Sequence, residues 1–281
     1  MKESPDSWAV KGFQMRKFLM GVMVAFAFVV LSSSSTFAQG AGQAGGGRGG
    51  RGQTEAKSTL PFDPHNFSGV WLLRTPYAGL SNQPPPLTPW GQAKYMANKP
   101  SYGPRAVPPA MGNDGIGNCE PTGFPRNLFS PSRPVLFMET PNELVELFQY
   151  RSVWRQIWTD GREVPKDLDP SWYGYSIGKW DGDALVVTTV GLDEKTWLDH
   201  FGYPHSGDMS VEERYRRTDH DTFELVVTVN DPKTYTKPWV SEKKIFKWNP
   251  EQELEEEYCV PSEEQSFNSK VRNPAGGAGK N

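Results

Sequence analysis

Residues 173–190 read YGYSIGKWDGDALVVTTV, and this stretch decides the fold class. The pair Asp181-Gly182 separates two runs of strand-like composition, residues 173–180 and 184–190. Because both residues of the pair tolerate positive φ, they predict a tight turn between antiparallel strands. The centre of the chain is therefore expected to form a β-hairpin.

Similar strand candidates recur on both sides of this hairpin, and turn residues separate them at regular intervals. They are residues 68–74, 135–139, 144–148, 152–158, 211–217, 223–229, 240–248 and 254–259. Closing such a meander into a ring removes its exposed strand edges. We therefore predict an all-β fold, an antiparallel meander that closes into a lipocalin-like β-barrel, in preference to a two-sheet sandwich.

The region ahead of most strands is rich in proline and glycine. Thr88 is a suitable helix cap and Pro89 suits the first helical position, which predicts one short helix over residues 89–97. The rest of residues 61–133 is expected to be an irregular N-terminal arm that wraps or covers the barrel.

The N-terminus predicts export. Arg16 and Lys17 precede an apolar run that ends near Leu31, and the small-residue site at Ala38 follows. This order predicts a signal peptide over residues 1–38. The run is shorter than the ~20 residues that cross a bilayer, so stable membrane insertion is not expected, although a retained anchor is the alternative.

The domain organisation follows from composition. Residues 39–60 form a Gly-rich linker too poor in apolar side chains to fold. Residues 61–268 form a single barrel domain, and residues 269–281 form a tail. The protein is thus expected to be periplasmic or secreted.

Net charge and cysteine content indicate which kinds of partner and which cellular compartment to expect. The net charge of −3 becomes −5 without residues 1–38, which contain four basic and two acidic side chains. An acidic protein is a poor partner for nucleic acid or anionic membranes. Cys119 and Cys259 are expected to form a disulfide in an oxidising compartment, with two buried thiols as the alternative.

One strand candidate has the character of a ligand-binding wall. Side chains alternate along a strand, so Trp154, Gln156 and Trp158 share one face and Arg155 lies on the other. Aromatic area around one orienting amide is typical of a small-molecule site, although packing against the arm would also explain it. The complete predicted ligand-binding set is Trp154, Arg155, Gln156, Trp158, Tyr175 and Trp197.

A second strand candidate, residues 211–217, carries charges on both faces. Glu213 and Arg214 lie on opposite sides, so one of them must point inward, in a ligand-binding polar network or a structural ion pair. His205 is the first candidate for acid/base chemistry, although a turn-stabilising role is the alternative. The predicted catalytic group is His205, Glu213 and Arg214, with Arg155 as the alternative to Arg214 and Asp160 as the alternative to Glu213.

Metal and cofactor chemistry is not predicted. Asp199, His200, His205 and Asp208 offer suitable donor atoms, but their spacing matches no metal motif. Motifs of serine hydrolases, nucleotide-binding loops and zinc proteases are missing from the sequence. No metal and no cofactor is therefore assigned.

Several segments resemble a family of exported bacterial proteins of unknown function. They are LTPWG at 87–91, VWRQIWTDGR at 153–162, YSIGKWDGDALVV at 175–187, WLD at 197–199, PHS at 204–206 and DPKTYTKPW at 231–239. The resemblance covers nearly the whole mature chain and implies export and a single domain. It implies no reaction, and it favours His205 and Arg214 over His200 because their positions recur in the family.

These observations favour an exported barrel that binds a small apolar or aromatic molecule. An acid/base enzyme acting inside the barrel, a lyase, isomerase or hydrolase, is the first alternative. A structural or assembly protein is the second.

Overall fold

The computed structural model describes residues 58–75, 79–108 and 111–272. They belong to the second of two units into which the chain divides, residues 54–281. The predicted signal peptide, the linker up to residue 57 and the last nine residues of the predicted tail lie outside the described residues.

Strands dominate the described residues. The strands are β1 (Gly69–Leu73), β2 (Val135–Glu139), β3 (Glu143–Phe148), β4 (Val153–Trp158), β5 (Tyr175–Asp181), β6 (Ala184–Val190), β7 (Ser210–Asp219), β8 (Thr222–Asn230), β9 (Trp239–Val240) and β10 (Lys244–Trp248). The helices are α1 (Pro89–Ala97) and α2 (Pro261–Phe267). Short 3-10 helices lie at Gly115–Asn118, Arg126–Phe129 and Tyr150–Ser152.

Nine of the strands close into a barrel, which confirms the all-β barrel fold. Each strand from β1 to β8 pairs with the next, β8 pairs with β10, and β10 pairs with β1. The first half of β8 pairs with β10 and its end pairs with β9. The sequence predicts one strand over residues 240–248, but Ser241 interrupts it and accepts a hydrogen bond from the Val227 amide through its hydroxyl.

The expected antiparallel order is wrong at one junction. Strands β4 and β5 run parallel, and their ladder spans two pairs, Ile157 with Ser176 and Trp158 with Ile177. The long connection between them, residues 159–174, returns the chain to the end from which β4 began, which a tight hairpin cannot do. The other pairings along the ring are antiparallel.

The prediction of a strand at residues 254–259 is also wrong, because this segment pairs with no neighbouring strand. Its backbone instead lies against two polar side chains: the amide of Glu255 donates to Gln149 and that of Glu257 donates to Ser152. The disulfide at its end, Cys119–Cys259, is confirmed, with a Cα–Cα distance of 5.4 Å.

Helix α1 begins and ends where the sequence predicts. The Thr88 hydroxyl accepts from the Gly91 amide at 3.0 Å, and Pro89 occupies the first turn. A cap of this kind satisfies an amide that has no partner inside the helix.

Aromatic rings fill much of the barrel interior. Phe223 is fully buried and packs edge-on against Phe67, Trp71 and Phe137, and it stacks on Phe246 with 4.6 Å between ring centroids. Such ring pairs stabilise a core beyond the area that they bury. Within the described ranges, no helix has the length and hydrophobicity needed to span a bilayer.

Candidate functional site

A cleft of about 520 Å³ lies where β4 and β5 separate. The first half of β4 diverges from the segment that leads into β5, because their ladder begins at Ile157 and Ser176. The cleft is lined by Ser152, Val153, Trp154, Arg155, Gln156, Trp158, Tyr173, Gly174, Tyr175 and Ser176. The cleft therefore lies at the parallel junction of the barrel.

Aromatic side chains form the walls of this cleft. Trp154 projects from the outer face of β4 and is 58% exposed. The Arg162 guanidinium lies 3.6 Å from the centre of the Trp158 ring. Arg162 is also paired with Asp160 at 2.6 Å and lowers the pKa of that carboxyl.

One amide at the cleft has a fixed orientation. Gln156 donates from Nε2 to a carboxylate oxygen of Glu143 at 2.7 Å. An amide held in this way presents defined polar atoms to a ligand, as small-molecule sites require.

The structure brings five of the six predicted ligand-binding residues to this cleft: Trp154, Arg155, Gln156, Trp158 and Tyr175. Trp197 is not among its lining residues. It is buried elsewhere, with the Arg126 guanidinium 5.7 Å from its ring centre. Tyr173 was missed; it precedes β5 and is separated from Tyr175 by Gly174, whose φ of 66° departs from the extended conformation, so strand alternation could not place it.

Behind the cleft lies a buried ionic network centred on Arg155. Its Nε donates to Glu146 at 2.8 Å, and its two terminal nitrogens donate to Glu213 at 3.0 and 2.6 Å. The Tyr215 hydroxyl lies 2.9 Å from Glu146 and 2.6 Å from Glu213. These four residues are at most 3% exposed, so the network belongs to the barrel interior.

The network holds two carboxyl groups against one guanidinium. Burial raises the pKa of Glu146, and the negative charge of Glu213 raises it further against the opposing effect of Arg155. Burial beside these carboxyl groups also raises the pKa of Tyr215 well above its ordinary value. Tyr215 therefore stays protonated and can donate to a carboxylate.

A chain of hydroxyl groups connects the cleft with this network. Ser176, at the cleft wall, lies 2.9 Å from the Thr189 hydroxyl, which lies 3.4 Å from Glu213. Of the pair Glu213 and Arg214, Glu213 is the residue that faces inward. Glu146 was missed, although it alternates with Leu144 and Phe148 on one face of β3 and would have been recognisable there.

The predicted catalytic residues occupy separate environments. His205 is 2% exposed, and its imidazole contacts the Thr196 hydroxyl at 2.9 Å and the Ser206 carbonyl at 3.1 Å. Arg214 lies on the outer face of β7 and pairs with Asp181 at 2.8 Å. Among the described residues, no hydrogen bond joins any two of His205, Glu213 and Arg214.

His205 is held as a neutral imidazole. A carbonyl oxygen can only accept, so Nδ1 donates to Ser206 and Nε2 accepts from Thr196. Burial lowers the pKa of His205, which agrees with this neutral form. Both ring nitrogens are therefore used by the loop itself.

Three of the four residues weighed as metal donors, Asp199, His200 and His205, use their side chains in other contacts. Asp199 accepts from the Phe201 amide at 2.9 Å, and His200 accepts from Arg126 at 3.2 Å. The amide of Asp208 donates to the Ser206 hydroxyl. No three His, Cys, Asp or Glu side chains of the described ranges are grouped as metal ligands.

Comparison of the chain with protein-family models, curated proteins and solved structures finds no match in any of the three.

Asp199 gives the protein a testable pH dependence. Burial raises its pKa from 3.8 to about 6. A carboxyl group with a raised folded-state pKa stabilises the fold fully below its unfolded pKa and loses this contribution as the pH rises through 6. The loss is about 3 kcal/mol, at about 1.4 kcal/mol per pKa unit.

Asp199→Asn keeps an oxygen for the Phe201 amide but does not titrate. Urea unfolding across this pH range should show the variant gaining about 3 kcal/mol relative to the native protein between pH values near 4 and 7. A stability difference that does not change with pH would contradict the assignment.

Proposed function

We propose that this protein is an exported ligand-binding barrel that holds a small, largely aromatic or apolar molecule in the cleft between β4 and β5. The observation that carries the proposal is the convergence of four aromatic side chains, Trp154, Trp158, Tyr173 and Tyr175, around one opening. The disulfide supports an oxidising compartment, because such bonds persist there.

The size and lining of the cleft suit a small molecule. Its volume of about 520 Å³ falls within the ~300–1,000 Å³ that small-molecule sites usually occupy. Aromatic walls favour a planar ligand, because offset stacking adds to the gain from buried area. Gln156, held by Glu143, supplies a fixed polar group that would orient it.

This proposal is favoured over an acid/base enzyme because His205, Glu213 and Arg214 do not converge. It is favoured over an assembly protein because the aromatic groups surround a cleft of ligand size. The buried ionic network holds the base of the cleft in place, because Arg155 lines the cleft and is also bound by Glu213.

A matched pair of tryptophan variants tests the proposal. We expect Trp154→Ala to weaken binding of 2-naphthol, a planar aromatic probe with one polar group, by at least tenfold, or about 1.4 kcal/mol. Trp180→Ala is the control, because Trp180 is 40% exposed on β5 but does not line the cleft. Fluorescence quenching and calorimetry measure both affinities.

Equal affinities of the two variants for 2-naphthol would show that the probe binds outside the β4–β5 cleft. A failure to bind 2-naphthol and a panel of other aromatic and apolar probes would count against a ligand-binding function.

A further inference from the structure

A second cavity, of about 270 Å³, lies apart from the β4–β5 cleft and shares none of its lining residues. Its walls include the rings of Tyr102, Phe129 and Tyr150, together with Pro131. Ser130, Ser132, Arg133 and the imidazole of His200 complete the lining. The cavity is therefore largely apolar, with His200 as a distinct polar group.

A hydrogen bond from Arg126 fixes the tautomer of His200. Nη2 of Arg126 lies 3.2 Å from Nδ1 of His200. A guanidinium has donors and no acceptor, so Nδ1 must be the unprotonated nitrogen. In the neutral ring the proton then resides on Nε2.

A buried ion pair holds this arrangement in place. Arg126 donates to both carboxylate oxygens of Asp114, at 3.0 and 2.6 Å, and its side chain is 3% exposed. A two-point contact of this kind restricts the guanidinium plane. Asp114 therefore positions Arg126, and Arg126 positions the imidazole.

We propose that this cavity is a second binding site, for a neutral, single-ring aromatic molecule whose carbonyl or similar acceptor receives a hydrogen bond from Nε2–H of His200. The ring contacts Phe129 and Tyr150, and the acceptor meets His200 on the side away from Arg126. The modest volume selects one ring over the larger ligands of typical pockets.

The electrostatics agree with a neutral ligand. Burial lowers the pKa of His200 to about 3, and the positive charge of Arg126 contributes to this against the opposing effect of Asp114. The imidazole is thus uncharged at neutral pH and acts as a donor, as neutral imidazoles do when they polarise a carbonyl. Arg133, the charged residue of the lining, is paired with Glu257.

A pair of probes of similar shape tests the site. Acetophenone and isopropylbenzene differ in having a carbonyl oxygen or a methyl group at the same position. We expect His200→Phe to weaken acetophenone binding at least tenfold and to change isopropylbenzene binding less than twofold. His65→Phe, an exposed histidine outside the cavity lining, should change neither.

Infrared spectroscopy reports the hydrogen bond itself. The stretching band of ¹³C-labelled acetophenone should shift to lower frequency on binding to the native protein and to Trp154→Ala, and the shift should disappear with His200→Phe. A carbonyl shift that survives in His200→Phe would overturn the proposal. A shift lost in Trp154→Ala would assign the probe to the β4–β5 cleft and overturn it as well.

A measurement on the unmodified protein covers the case in which His200→Phe does not fold. Nitrogen-15 NMR of labelled histidine distinguishes the two neutral tautomers. A proton on Nε2 of His200 is expected, with a chemical-shift change on addition of acetophenone. A proton on Nδ1, or no response to the probe, would contradict the inference.

Discussion

Replacing Arg155 with methionine is expected to lower the free energy of unfolding by about 3–5 kcal/mol, because it leaves two carboxyl groups buried without their cation. Glu146 and Glu213 are both fully buried, and their remaining partners are neutral hydroxyl groups. Urea unfolding monitored by circular dichroism measures the loss. Methionine preserves much of the side-chain volume, so the effect reports mainly on charge.

Arg214→Met, on the outer face of β7, is the matched control. Arg214 is about half exposed and its partner Asp181 is more so, and exposed pairs of this kind contribute at most about 1 kcal/mol. If the two methionine variants lose similar stability, the network around Arg155 does not have the role described.

The pH dependence of the Arg155 variant follows from the same network. Arg155 lowers the pKa of Glu146, so its removal raises that pKa further above the ordinary value of 4.5. A raised carboxyl pKa contributes stability below the unfolded value and loses it as the pH increases. The deficit of Arg155→Met should therefore be smallest below pH 4.5 and grow toward neutral pH.

Loss of the disulfide is the second large effect. The double variant Cys119→Ser, Cys259→Ser should lose about 5 kcal/mol of unfolding free energy, since the chain-entropy relation gives this value for a closed loop of 140 residues. Removal of the bond releases the unfolded chain from a long loop. Urea unfolding of the native protein, with and without a reducing agent, provides the comparison.

Reduction should bring the native protein to the stability of the double variant and leave the variant unchanged. A double variant as stable as the oxidised native protein would show that the bond adds nothing to the fold.

The sequence correctly predicted the secondary-structure elements that depend on a few neighbouring residues. The helix α1 depends on Thr88 and Pro89, and the β5–β6 hairpin depends on Asp181-Gly182. The parallel β4–β5 junction has no comparable signal, because strand direction depends on where a long connection ends. The extended segment before Cys259 was also misjudged, since its amides bind side chains instead of a neighbouring strand.

Most residues of the candidate site were predictable from the sequence, but their arrangement in space was not. Alternation on β4 separated Trp154 and Trp158 from Arg155, yet either face could have been the interior. In the structure, the two faces of β4 have different roles. The tryptophans line the cleft, and Arg155 lies at its base and belongs to the buried ionic network. Charges on both faces of β7 left the same ambiguity, which burial of Glu213 resolves.

The long connection after β4 also makes this protein suitable for engineering. Residues 160–167 are exposed, and exposed loops accept inserted sequence at low cost because closure entropy grows slowly with length. The connection also begins beside Trp158 and ends at Tyr173, two walls of the cleft. A fluorescent module inserted here would be covalently attached to both sides of the cleft, which is the geometry of a single-chain biosensor.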